Sequence, residues 1–501
     1  MFSLQPKRAL STAERQRGLQ WVLWDGVAAQ TILTLTGGAF LVAYALQLGA
    51  TNAQIGLLAA IPTLANVFQL LSIRLVEWFA NRRKIIVITL FVSRTTLFVI
   101  ALIPFLAVSY PVFLLIAATV VIQTFAAVSA GCWNSWMQDL IPSDRLGTYF
   151  SRRLRISQAV GAVLSLVIAF ALDYIKQQYP SQEIMAYALL FLMGGFTGYI
   201  SIFLLSQTPE PRPVRSYLQF RKLLQLPFRH APFRNLIWYN GLWNFATNLA
   251  APFFTVYLLR RLGYGVSTVI VLTVISQIAT ILSLRLWGRY ADRYSYKTIL
   301  GICAPLYLVG LLGWTFTTLP DPHTFTLPLL ILIHLTMGLA TGGTSLAASS
   351  IGLKIAPKEQ SVAYLSVISM TNALSAGAAP IIGGLLADFF TSQEFALSLT
   401  WRNETRNVVV QALNLQQLDF FFAFAFLLGL LALYRLGYVR EEGDVEEKVL
   451  LQEIVLEIQR EIKNLSSVTG ARSLIKLPSS LFQTIQQYAK DRNSSPPTKQ
   501  P

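Results

Sequence analysis

Apolar runs of membrane-crossing length recur from one end of this 501-residue chain to the other, and they leave few folds open. A bilayer core asks for about 20 apolar residues per helix. Lipid offers the backbone no hydrogen-bond partner, so each span must satisfy its own amides as a helix. Twelve spans can be marked, roughly at 25–48, 54–79, 85–106, 112–138, 153–174, 184–206, 235–259, 267–289, 297–319, 327–353, 361–389 and 416–438. Only 13% of residues are charged, against about 25% in soluble proteins. The expected fold is all-α: a polytopic membrane protein of twelve transmembrane helices.

The spans fall into two halves because the chain repeats itself. Ser72-Ile73-Arg74-Leu75 with Phe79-Ala80-Asn81-Arg82 returns as Ser283-Leu284-Arg285-Leu286 with Tyr290-Ala291-Asp292-Arg293, offset by 211 residues (283 − 72). Pro142, Asp144, Tyr149, Ser151 and Asp173 return as Pro357, Glu359, Tyr364, Ser366 and Asp388, offset by 215 (357 − 142). Two related membrane halves enclose a site between them, the geometry of a carrier. The expected organisation is a lead-in at 1–24, a six-helix bundle at 25–206, a connector at 207–234, a second bundle at 235–438 and a tail at 439–501.

Charge sets the expected topology. The loops after spans two, four, eight and ten hold Arg82, Arg83, Lys84, Arg145, Arg293, Lys297 and Lys358. The connector, rich in proline at Pro209, Pro211 and Pro213, adds Arg212, Arg215, Arg221, Lys222, Arg229 and Arg234. The opposite loops hold Lys176, Arg260, Arg261, Arg402 and Arg406. The positive-inside rule then places both termini and the connector in the cytoplasm. The net charge of +16 is a topology signal on this chain, so no nucleic-acid partner is expected. Cys132 and Cys303 both lie in apolar spans and suggest neither a disulfide scaffold nor a metal cluster. Residues 1–18 are basic but lack the apolar core of a signal peptide. Past Tyr438, Val449, Leu451, Ile454, Val455, Ile458, Ile462 and Leu465 form a helical stripe that suits a membrane surface or the bundle, or serves a regulatory partner. Residues 493–501 read as disordered, and Asn403-Glu404-Thr405 fits a glycosylation sequon.

Gly288-Arg289-Tyr290-Ala291-Asp292-Arg293 with Lys297 resembles the signature loop of the major facilitator superfamily, which has a Gly, then Asp-Arg, then a basic residue. Asp25-Gly26 opens span one, and Asn240-Gly241 holds the equivalent place in span seven. Gly49, Gln54 and Gly56 follow span one, as in many bacterial members. Trp133, Trp136 and Asp139 precede Pro142, Asp144, Arg145, Tyr149, Phe150, Ser151 and Arg152, which is similar to a prokaryotic subgroup of that superfamily. The resemblance covers roughly residues 20–440. It implies two pseudo-symmetric bundles rocking about a central site, lined mostly by the first, fourth, seventh and tenth helices. It also implies a bacterial cytoplasmic membrane, a monomer, and a proton-linked mechanism.

The same resemblance implies a cytoplasmic latch. Asp292 would face the start of span five, where Arg152, Arg153 and Arg155 crowd, and a carboxylate there also favours the helix N-terminus. The alternative is that these arginines only anchor topology. The first-half copy has Asn81 for the acid and Glu77 where Gly288 stands, so its latch around Asn81 and Arg82 should be weaker. Arg94 lies about 15 Å inside span three, counted from Lys84 at about 1.5 Å per residue. It reads as an anion clamp, as the partner of an acid such as Asp25, or as a structural charge. Asp25 reads as a proton carrier, a cation ligand, or a charge at a helix start. His334 is the one imidazole deep in the spans and reads as structural.

Cavity candidates are Gln30 and Thr34 on span one, Trp133, Asn134 and Gln138 on span four, Trp243, Asn244 and Asn248 on span seven, and Thr341, Thr344 and Ser345 on span ten. Amides, hydroxyls and indole faces suit a neutral or amphipathic solute. The same groups also serve as interhelical hydrogen bonds, worth about 0.6 kcal/mol each. No phosphate loop, HExxH pair or spaced nucleophile and base suggests an enzyme or a cofactor. A secondary transporter of a small organic solute is the leading expectation. A non-transporting scaffold, receptor or lipid-handling protein of the same shape is the alternative.

Overall fold

The computed structural model describes residues 5–6, 10–106, 109–142, 146–211, 226–318, 323–356, 361–402 and 407–441, with Gln452 and Leu456. Two units divide the chain, Met1–Asp444 and Val445–Pro501. In the second unit Gln452 and Leu456 are helical and exposed, and the rest of the expected tail stripe lies outside the described residues. Asp144, Arg145, Pro357, Lys358, Glu359, Arg406, the sequon and connector residues 212–225 lie outside them too.

Among the described residues, twelve long helices build the first unit. They are α1 (Thr12–Gln47), α2 (Asn52–Phe79), α3 (Arg82–Phe105), α4 (Pro111–Leu140), α5 (Leu146–Gln178) and α6 (Pro180–Gln207). After a single turn at Leu226–Arg229 come α7 (Ala231–Val256), α8 (Val266–Arg293), α9 (Tyr296–Phe316), α10 (Thr326–Ile355), α11 (Ser361–Phe390) and α12 (Asp419–Leu436). Eleven helices of the described chain are long and apolar enough to cross a membrane. The other, α7, is 26 residues long but carries Asn235, Asn240, Asn244 and Asn248.

Local chemistry sets the boundaries. The helix of α1 starts at Thr12 rather than at residue 25, because Ser11 and Glu14 form a capping box that satisfies free amides early. It breaks at Gly37–Gly38, where Gly38 takes φ +55, a value glycine adopts without strain. Thr51 and Gln54 form a second capping box at the start of α2. Asn81 caps α3 and Ser295 caps α9. The stretch between α11 and α12, expected as a loop, is instead an antiparallel hairpin of β1 (Glu394–Arg402) and β2 (Asn407–Gln416), with a register irregularity between Leu397 and Ser398. Alternation of Phe395, Leu397, Leu399 and Trp401 with Ala396, Ser398 and Thr400 is the period-two signal behind it.

The duplication is legible in the packing. In the first half α1 packs on α5 and α6, α3 on α4 and α6, and α2 on α4; in the second α7 packs on α11 and α12, α9 on α10 and α12, and α8 on α10. The repeated serine has a packing role in both copies. Ser72 of α2 fills the space beside Gly131 of α4, and Ser283 of α8 fills the space beside Gly342 of α10. A Cβ at either glycine would collide with the hydroxyl, so the small residue permits the close helix approach. Contacts group the joins at two ends. At one, the near end, α2–α3, α4–α5 and α6–α7 meet through Arg82, Asp139 and Glu210, α8–α9 and the end of α10 meet through Glu441, and His230 before α7 meets Tyr364 of α11. The hairpin and the remaining joins lie at the far end, tied by Tyr44 to Ile100, Tyr257 to Thr317, Arg261 to Gln416, Asp388 to Asn52 and Asp173 to Val266.

Candidate functional site

A cavity of about 760 Å³ opens in the second half. Its walls come from α7, α9, α10 and α11, and it runs from Asn248 and Thr341 to Gly352 and Leu353, close to where α10 ends at Ile355. It therefore reaches toward the near end. All six expected second-half residues line it: Trp243, Asn244, Asn248, Thr341, Thr344 and Ser345. Thr247, Tyr307, Ser369 and Asn372 join them, and sequence reasoning had not marked these four. Asn240, Asn244 and Asn248 recur every four residues on α7, a helical period that was readable, whereas Asn372 stands alone on α11.

Hydrogen bonding shows which polar groups are already committed. Asn244 Nδ2 donates to Asn240 O at 2.9 Å and to Asn372 Oδ1 at 3.1 Å, tying α7 to α11. Asn248 Nδ2 donates to Asn244 O at 2.8 Å. The hydroxyls of Thr247, Thr341 and Thr344 donate to carbonyls one turn back on their own helices, at 2.9, 2.7 and 3.0 Å. Each of these groups retains oxygen lone pairs with which to accept from a solute. Trp243 meets Tyr307 edge to face, with centroids 5.6 Å apart, and supplies an aromatic wall.

The first-half candidates do not line this cavity; several of them build a buried ionic cluster instead. Asp25 of α1 is 4% exposed. Its Oδ1 accepts from Ser201 Oγ of α6 at 2.6 Å, and Oδ2 lies 3.5 Å from Arg153 Nη2 of α5. Arg153 also donates from Nε to Val22 O at 3.2 Å and sits 4.9 Å from the Trp133 ring centroid. Arg94 of α3 interacts electrostatically with Asp25, and its stem lies along Gly198 of α6. Its Nε is buried without a hydrogen-bond partner among the described residues. Gln30 and Thr34 pack against Gly161 of α5, while Asn134 and Gln138 are exposed.

The near-end loops hold a second set of charges. Arg82 is fully buried, 2.6 Å from Asp139 and 3.1 Å from Glu210, and also donates to Ser135 and to Pro211 O. Glu210 accepts the backbone N–H groups of Arg82 and Arg83 at 2.8 and 3.0 Å. In the second half Glu441 accepts those of Tyr296 and Lys297 at 3.2 and 2.8 Å, and pairs with Lys354 at 2.8 Å. Each half thus ends on a glutamate that binds the free amides opening its own third helix. Sequence reasoning missed both glutamates, although each follows the last helix of its half by a few residues. Asn81 accepts from Lys84 N–H at 2.9 Å. Gly288 has open space around it, Arg293 lies 5.5 Å from the Tyr294 ring centroid, and Arg152 and Arg155 are exposed. The backbone of Asp292 ends α8, and its side chain is outside the described residues. His334 Nδ1 lies 2.8 Å from Leu330 O and its ring meets Trp314, a structural setting.

A family model described as Major Facilitator Superfamily matches residues 26–380 and 244–482. Among solved structures the chain is similar to the nucleoside transporter NupG, at 14% identity and a TM-score of 0.61, over 85% of this chain and 98% of that one. It is similar to a bacterial homologue of the iron transporter ferroportin in an inward-facing state, at 14% identity and a TM-score of 0.61, over 86% and 100%. It is also similar to the inward-open xylose transporter XylE from E. coli, at 15% identity and a TM-score of 0.54, over 88% and 98%. No curated protein matches it in sequence.

Proposed function

Because the chain belongs to the Major Facilitator Superfamily, it is a multi-pass membrane protein and a secondary transporter of a small molecule, not an enzyme, and we propose that its solute is a neutral, hydroxyl- or amide-rich organic molecule. One observation carries this reading. The 760 Å³ cavity is lined by Asn, Ser, Thr, Trp and Tyr among apolar residues, with no Asp, Glu, Lys or Arg among them. Its size falls within the range for small-molecule sites, about 300–1,000 Å³. A charged solute would lose its hydration there without a counter-charge. Nucleosides and xylose, named for two of the similar structures, have the chemistry this wall would accept; an iron cation does not.

Coupling to protons is assigned to the first half. Asp25 is held by Ser201 and Arg153 beside Arg94, so adding a proton to its carboxylate would release the half-buried Arg153 and leave Arg94 without its counter-charge. That exchange of partners gives α1, α3, α5 and α6 two arrangements, which is what coupling requires. The excess of Arg and Lys at the near end supports a cytoplasmic placement for it and for the termini. The Asp292 latch belongs to the state closed at that end, in which α8 would approach Arg152, Arg153 and Arg155.

Purified protein in liposomes tests the proposal. Thermal stabilisation over a metabolite panel should pick out neutral polyols, nucleosides or amides, and the same compounds should be taken up faster under an inward proton gradient. Stabilisation and uptake confined to ionic solutes would overturn the substrate class. Uptake indifferent to the gradient would overturn the coupling.

A further inference from the structure

Four carboxylates among the described residues do the same thing: each accepts two consecutive backbone N–H groups at the start of a helix. Glu210 and Glu441 do so within their own halves at the near end. The other two reach across. Asp173, at the far end of α5, accepts Val266 N–H and Ser267 N–H of α8, both at 2.9 Å. Asp388, at the far end of α11, accepts Asn52 N–H at 3.0 Å and Ala53 N–H at 2.9 Å, at the start of α2.

These two contacts are symmetry mates in the duplication. The carboxylates are 215 residues apart (388 − 173), and the amides they hold are 214 apart (266 − 52). We propose that Asp173 and Asp388 are positioning residues for transport: a paired clamp that holds the far end shut and must release for the cavity to face the other side.

Three observations support the assignment. Five hydrogen bonds between described residues cross from one half to the other, and each lies at the far end; four are these, and the fifth runs from Arg260 to Ala50 O. The cavity meanwhile reaches toward the near end, so the structure is the far-closed state. Second, at α8 the clamp supplies what the helix lacks, and at α2 it takes the two amides that the Thr51–Gln54 capping box leaves free. The N-cap position of α8 is Gly265, which has no side chain to bond the free amides, so Asp173 from the other half takes that role. Third, the chain makes room for it. Gly265 lies directly against the Asp173 carboxylate, and Gly384 lies against Asn52 and Ala53.

The strength suits a switch. A carboxylate at a helix N-terminus is worth a modest amount, and Asp388 is exposed, so water can replace it when the halves part. The amides lose a partner but not solvation. A contact buried like Glu210 could not release as cheaply.

Electron paramagnetic distance measurement tests this in reconstituted full-length protein. Spin labels at Tyr110→Cys and Phe325→Cys, both exposed far-end positions in opposite halves, report the gap. The parent should populate mainly the short distance. Asp173→Asn and Asp388→Asn should each lower the short-to-long population ratio roughly fivefold, and the pair together more. Asp388→Glu should retain most of the short population. Glu441→Gln, built alike but inside one half, should leave the far-end distance unchanged. Unchanged distances in both Asn variants, or an equal shift in Glu441→Gln, would overturn the proposal. If the double variant does not fold, each single variant decides on its own. This holds whatever the solute, so its failure is separable from that of the substrate class.

Discussion

The two halves share one scaffold and put different chemistry inside it. At the heart of the first, Asp25, Arg94 and Arg153 are locked among α1, α3, α5 and α6. At the heart of the second is an open space walled by amides, hydroxyls and indole, without an ionised side chain among its described lining. Duplication preserved the helix contacts, down to the serine–glycine seams of Ser72 with Gly131 and Ser283 with Gly342. Under the proposed function, the divergence of the two cores separates two tasks. A buried ion network changes state when a proton or partner moves, which suits energy coupling. A neutral polar wall recognises shape and hydrogen-bond pattern, which suits selection. The near ends differ in the same sense: Arg82 meets two acids in the first half, whereas Glu441 meets the half-exposed Lys354 in the second.

The largest effect should come from breaking the denser charge network. Arg82→Ala leaves Glu210 buried without its cation, and such losses cost about 3–5 kcal/mol. Lys354→Ala removes a partly solvated cation and leaves the buried Glu441 on the two backbone amides it accepts, so it should cost less, about 1–3 kcal/mol. Thermal unfolding in detergent should therefore show a deep drop for the first and a smaller one for the second. Equal drops would erase the near-end contrast.

Asp25→Asn sharpens the division of labour most directly. The substitution keeps the size and the hydrogen bond from Ser201 but removes the charge that holds Arg153 and Arg94. Gradient-driven accumulation should fall at least about tenfold, a loss equivalent to about 1.4 kcal/mol of coupling, while solute exchange across the membrane continues. Asn244→Ala should do the reverse. It severs the α7–α11 tie to Asn372 and strips a wall amide, raising the solute Kd about tenfold, near the upper value of about 1.5 kcal/mol for one hydrogen bond. Accumulation and exchange should then fall together. A first-half variant that alters affinity alone would break the comparison.

How far the sequence foretold this depends on which physical signal each part leaves. Helix spans were legible because lipid imposes a long apolar run on every one of them. The cavity wall on α7 and α10 was legible because polar residues recur at helical spacing in apolar surroundings. The first-half candidates shared that spacing, yet Gln30 and Thr34 face a helix seam at Gly161. Spacing marks an inward face without saying whether a gap lies beyond it. Arg94 announced a buried partner, and Asp25 was among those weighed. Glu210 and Glu441 left no such mark, because a carboxylate near a proline or an arginine in a loop looks solvated until the amides it binds are seen. The hairpin left a fainter signal, a period-two alternation confined to nine residues of β1 and interrupted by the irregularity at Leu397 and Ser398.

The smallest expected difference concerns the repeated loop itself. Asn81 and Asp292 fall at equivalent places in the duplicated phrase, yet Asn81 is already occupied: its Oδ1 accepts Lys84 N–H and caps α3. That is a local task, worth about 1 kcal/mol of helix stability. In the second half the capping task falls to Ser295, which caps α9 through Thr298 N–H. An acid at position 292 can serve the state in which the near ends meet. At matched expression, Asp292→Asn should therefore lower the transport rate a few-fold, about 0.3–1 kcal/mol on the balance of states, while Asn81→Ala should lower thermal stability and leave the rate per folded molecule nearly unchanged. Equal rate defects would mean that the two copies of the phrase still share one role, and the divergence of the halves would then stop at their cores.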